Sequence, residues 1–286
     1  MTKTRKYTWR KAIIAAALLF GAAIRAEAMS ADQLAEMLGI LRNSESHSIS
    51  GERWIDETLK TLHKLTGKTG VSDMIKIGAP VYRHIRSLTE RGEPFGAFPE
   101  LVAAELSKVA KYGGAELRFD GKSHRYAKNA LLKAASYLPA EAVQRIPTLE
   151  ALTVIGRGLF RQYTPDMAVV KTNGVKIALH ELGHALEHSS GHLLLLRKEL
   201  YENRTRGNKL RKLNCGFFPF GYRPDEKYRA GFVDRYMGKE DGVEIYSCGV
   251  EYVFFNRHDI WRRDPEMTKF ILGSLIYYGS HISGEF

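Results

Sequence analysis

Cysteine is scarce in this chain. Cys215 and Cys248 are the two in 286 residues, so at most one intrachain disulfide can form. A membrane-spanning run is also lacking. The apolar stretch of residues 12–24 is thirteen long, too short to cross a bilayer as a helix. No arginine-rich arm and no basic stripe interleaved with aromatics is present, which argues against a nucleic-acid partner. The formal charge of +11 does not reverse that, because it is concentrated at the start. Lys3, Arg5, Lys6, Arg10, Lys11 and Arg25, less Glu27, place +5 of that net +11 before Met29. No internal repeat or low-complexity segment is visible either. What remains is ordinary globular material, 44% hydrophobic and 26% charged, long enough to bury a sizeable core in one domain or two small ones.

The first 28 residues read as a secretory signal peptide. A basic segment ends at Lys11, the apolar run follows, and Ala26-Glu27-Ala28 has the small-x-small form of a cleavage site. The expected location is therefore secreted or periplasmic, with no stable membrane insertion after cleavage near Ala28. In that oxidising compartment Cys215 and Cys248 are expected to pair.

Residues 29–112 read as a helical N-terminal region. Ser30 and Gln33 form a capping-box pair before an apolar run to Leu41. Helical periodicity resumes at Trp54, Ile55, Leu59, Leu62 and Leu65, and a further helix is predicted over 72–89, with Pro80 placed to kink or split it. Pro99 opens another helix to Lys111. His63 and His84 sit singly in this region and are assigned to packing or surface. From residue 113 to 286 the pattern is mixed. A short strand is predicted over 116–120 and a helix over 123–137. Three strand-like runs then follow at 152–155, 159–163 and 167–171. The last of these is expected to be the edge strand of a cleft, free to pair with an extended peptide. Beyond residue 191 come a helix over 192–202 and a long basic stretch over 204–241, rich in Gly, Tyr and Phe. Helices over 242–256 and 264–278 follow.

The strongest local signal is His180-Glu181-Leu182-Gly183-His184, within a predicted helix over 175–188 that Asn173 caps and Gly191 stops. Imidazoles at i and i+4 share one helical face, and both can reach one tetrahedral Zn²⁺. Glu181, beside the first ligand, is placed to act as general base on a water. A third protein ligand is then required. His188 would put three successive turns on one small ion, and the metzincin position for a third histidine is occupied by Ser190. The remaining source is the helix over 242–256, where Glu244, Cys248 and Glu251 compete; Glu244 is preferred.

Four segments run in a familiar order: HELGHALE at 180–187, RTRG at 204–207, FVDRYMGK at 232–239 and EIYSCGVE at 244–251. Together they resemble the zincin-type metallopeptidase domains of bacterial and phage proteins, over about residues 156–255. The resemblance implies an α+β, zincin-like domain with a small antiparallel or mixed sheet. It makes His180, His184 and Glu244 gluzincin-like ligands and Glu181 the base. Cys248 stands where that pattern usually has Met, which leaves room for the disulfide to Cys215. For a tetrahedral oxyanion a donor is also needed; Tyr236 is preferred over Tyr246, His192 and Arg235.

The expected function is zinc-dependent hydrolysis of a protein or peptide bond. Two alternatives from other classes are a non-catalytic binding or structural protein on a zincin scaffold, and a delivered toxin or effector protease.

Overall fold

The computed structural model describes residues 53–280, apart from 66–68, 91–97, 113–115, 154–161, 165–168, 173, 214–225 and 241. The expected leader, the Ser30–Gln33 capping box, Asn173 and Cys215 lie outside the described residues. The architecture is α+β, mostly helical with small sheets.

Helices α1 (Arg53–His63), α2 (Val71–Glu90) and α3 (Phe98–Leu106) come first, followed by α4 (Arg125–Ala135) and α5 (Ala140–Gln144). Pro80 does not split α2, which runs through it. The start of α2 is held from two sides. The Gly70 N–H donates to Asp73 Oδ2 (3.1 Å) and the Val71 N–H to Glu199 Oε2 (3.3 Å), so two of the helix's orphan donors are satisfied. His63 is exposed, and His84 stacks on Trp54 and contacts Glu105, Nε2 to Oε2 2.9 Å; both have the packing or surface roles expected of them.

The expected strand over 116–120 reduces to one bridge, Phe119 with Leu149. Strands β1 (Glu150–Thr153), β2 (Gln162–Thr164) and β3 (Val169–Thr172) form a mixed sheet in the order β1-β3-β2. β3 pairs in parallel with β1 and antiparallel with β2. It is therefore the central strand and has no free edge. That corrects the expected edge-strand role of residues 167–171: both rows of its backbone polar groups already face partners.

β3 leads into α6 (Val175–His188), which carries HELGH, and α7 (Gly191–Thr205) follows directly. The N-cap of α6 is Gly174, in extended backbone. Gly191 is not a stop. It opens α7, whose N-cap Ser190 accepts from the Leu193 N–H. A two-stranded hairpin, β4 (Arg211–Lys212) with β5 (Lys227–Tyr228), lies in the basic stretch. The chain closes with α8 (Glu244–Phe255), a 3₁₀ turn at Arg257–Asp259, α9 (Ile260–Arg263) and α10 (Pro265–Gly279). At α10 Asp264 caps the Met267 N–H, and Pro265 stands in the first turn, as the sequence pattern predicts.

Residues 53–286 form one compact unit, so the helices before residue 113 share a core with those after it. α2 lies along α10, and glycines make this possible. A Cβ at Gly78 would overlap the Lys269 carbonyl, and one at Gly273 the Met74 carbonyl. α8 is buried on all sides from Glu244 to Phe254. Yet it carries Glu244, Ser247, Cys248 and Glu251, spaced to share one face. Buried polar groups need partners, and α6 brings His180 and His184 to Glu244 and His180 to Glu251.

Candidate metal centre

Gly183 sets the closeness of α6 to α8. A Cβ there would stand 2.7 Å from Ser247 Cα, so the glycine inside HELGH lets the two helices touch through their backbones. That contact brings Glu244 between the two histidines. Glu244 Oε2 lies 3.3 Å from His180 Nε2 and 3.3 Å from His184 Nε2. Donor atoms bound at about 2.0–2.1 Å to a tetrahedral zinc stand about 3.3–3.4 Å apart. The spacing and the set of two imidazoles and a carboxylate both fit such an ion. The two rings are edge-to-face, with centroids 5.0 Å apart.

A second donor set overlaps the first. Ligand atoms of His180, Glu244 and Cys248 all lie within 4.8 Å of one another. We favour the set with His184, because both its contacts to Glu244 match a tetrahedral edge. Cys248 is a buried free thiol. The expected partner in a disulfide, Cys215, lies outside the described residues; Cys248 faces His180 from within α8, where burial pushes its thiol pKa up.

Glu251, two turns beyond Glu244, is not in that set. Its Oε2 lies 3.2 Å from His180 Nδ1, within ion-pair distance though without hydrogen-bond alignment. Its Oε1 accepts from Arg257 Nη1 at 2.9 Å, with Lys176 Nζ at 3.5 Å. A carboxylate on the far nitrogen of a ligating histidine fixes the ring's orientation.

The charges follow from these contacts. Burial opposes ionisation of Glu244, but the two imidazoles beside it hold its carboxyl well below the usual carboxylate range. Burial likewise opposes ionisation of Glu251, which His180 and Arg257 keep low. For His180, burial opposes protonation, yet the acceptors around it, Cys248, Glu244 and Glu251, push its pKa well above the ordinary imidazole value. His184 has Glu244 alone among these, and burial lowers its pKa.

Of the expected oxyanion donors, Tyr236 reaches the centre. Its hydroxyl donates to Glu244 Oε1 at 2.7 Å, and burial, with Glu244 beside it, keeps that hydroxyl protonated far above neutral pH. The other three are elsewhere. Tyr246 is buried against α10, where its oxygen accepts from Ser274. His192 is engaged by Tyr278 (2.8 Å) and the Thr69 carbonyl (2.9 Å). Arg235 is exposed, over the Tyr228 ring. His188 is exposed at the end of α6. Glu181 is 2% exposed on the ligand helix, next to His180.

Sequence reasoning weighed Glu251 as a ligand and did not find its contact with His180, nor Arg257, Lys239 or Asp234. Lys239 Nζ stands 3.8 Å from Glu244 Oε1 and 3.1 Å from Glu226. Asp234 Oδ1 accepts from the Tyr236 N–H. The seven-residue spacing of Glu244 and Glu251 was the available signal for Glu251, and the FVDRYMGK segment for Asp234 and Lys239; Arg257 carries none. A surface hollow of about 400 Å³ lined by Arg204, Phe232 and Arg263 is separate from this cluster, and its Arg204 is already bidentate to Asp264. Comparisons with protein-family models, with curated proteins and with solved structures find no match.

Proposed function

We propose that this chain is a zinc-dependent metallopeptidase that hydrolyses a protein or peptide bond, on a zincin-like domain of the gluzincin type. The observation that carries this reading is the placement of one Glu244 oxygen 3.3 Å from both HELGH imidazoles. His180, His184 and Glu244 would hold the ion, and three protein ligands leave a tetrahedral site one open position. Zinc, when bound, supplies Lewis acidity that polarises a carbonyl and makes a water acidic near neutral pH.

The remaining steps belong to the chain. Glu181 accepts the proton of the attacking water at its carboxylate and passes it to the leaving amine. Tyr236 enters with its proton in place and donates to the oxyanion; to do so its hydroxyl turns away from Glu244 Oε1. Glu251 holds the His180 ring from behind. The leader expected from the sequence of residues 1–28 would place this action outside the cytoplasm. No described helix is long and apolar enough to cross a membrane.

The test is cleavage of an unfolded protein or a peptide mixture by the zinc-loaded chain and by Glu181→Gln. The variant is expected to keep its zinc and lose hydrolysis, because the amide keeps the shape without accepting a proton. Cleavage at the wild-type rate by Glu181→Gln would overturn the mechanism.

A further inference from the structure

Between α8 and α9 the backbone is strained. Asn256, His258 and Asp259 have φ of 44°, 56° and 54°, a left-handed region that side chains with a Cβ disfavour. Asn256 alone is a familiar way to end a helix. His258 and Asp259 go beyond a cap. Such strain persists where the surroundings over-determine it, and here the surroundings lead to the metal centre.

Arg257 points from this turn to Glu251, the carboxylate behind His180, with its guanidinium over the Tyr252 ring (5.0 Å). His258 Nε2 lies 3.2 Å from Asp234 Oδ2, which also accepts from the Tyr252 hydroxyl at 2.6 Å. Asp234 in turn holds the Tyr236 N–H. One turn therefore anchors both the carboxylate behind a ligand and the loop that carries Tyr236.

We propose that the 256–259 turn is a brace for the metal centre, and that Arg257 is a positioning residue acting on His180 through Glu251. This rests on the metal reading above. Glu251 is 5% exposed, and a cation hydrogen-bonded to its Oε1 fixes the carboxylate so that Oε2 faces His180 Nδ1. Arg257 is the nearer of the two present, Lys176 being farther at 3.5 Å.

The experiment measures Co²⁺ affinity and the visible Co²⁺ spectrum of the full chain, which report ligand geometry without any substrate. Arg257→Ala is expected to weaken Co²⁺ binding on the order of tenfold and to alter the spectrum, and Arg257→Lys to restore most of both. In a Glu251→Gln background, Arg257→Ala should add nothing further, because the path runs through Glu251. Arg257→Met, which keeps the stem packed on Tyr252, replaces Ala if that variant does not fold. Wild-type affinity and spectrum in Arg257→Ala and Arg257→Met, or a loss that simply adds to that of Glu251→Gln, overturns the brace alone. A wild-type chain that binds neither cobalt nor zinc overturns the metal reading and the brace with it.

Discussion

Two tyrosines ten residues apart illustrate what single positions in this chain do. Tyr236 lies eight residues before Glu244 and Tyr246 two residues after it. One donates to Glu244, and the other is buried against Ser274 on α10. Tyr236→Phe is expected to lower kcat by about 10²-fold, in the range of a lost oxyanion donor, with KM little changed and zinc retained. If it lowers zinc affinity and leaves kcat of the loaded protein intact, Tyr236 only supports the ligand. Cys248 gives a second check at this scale. As a buried free thiol it should resist alkylation in the native protein isolated without reductant, and react once the chain is unfolded. Recovery of the Cys248 peptide in disulfide linkage would contradict the structure.

At the scale of elements, the contact of α6 with α8 decides whether a site exists. Gly183→Ala should push the helices apart, destabilising the fold by about 1–3 kcal/mol and weakening metal binding; denaturant titration and zinc affinity measure the two. Unchanged stability would mean that the close approach is not required. The 256–259 turn offers a finer test. Asn256→Gly should be near neutral, because glycine accepts positive φ, whereas Asn256→Ala should cost about 1 kcal/mol. The start of α2 carries a pH signature. The Gly70 N–H, against the opposing effect of burial, holds the Asp73 carboxyl below its ordinary value. A depressed carboxylate contributes stability above the unfolded pKa and loses it as pH falls through the folded one. Asp73→Asn should therefore flatten the acid limb of the stability curve, and an unchanged limb would dissociate Asp73 from it.

For the whole molecule, legibility in sequence followed locality. The HELGH helix and α10 were readable because their periodicity and breakers lie within one segment, and Glu244 because two turns of α8 present acids on one face. Strand order was not readable. β3 looks like any apolar run, and its central place depends on β1 and β2 closing on both sides. Nor was the packing of α2 along α10 readable, since the glycines that let them approach, Gly78 and Gly273, are some 195 residues apart and pattern cannot pair them. Arg257 and His258 were missed because a left-handed turn without glycine has no sequence signature. What ties these scales together is one carboxylate carried by a distant helix to two histidines. Its most direct test is zinc content after exhaustive dialysis of the purified chain against metal-free buffer. The account predicts about one zinc per wild-type chain, retained by Glu251→Ala with weaker affinity and lost from Glu244→Ala. A fully loaded Glu244→Ala beside a metal-free Glu251→Ala would contradict it.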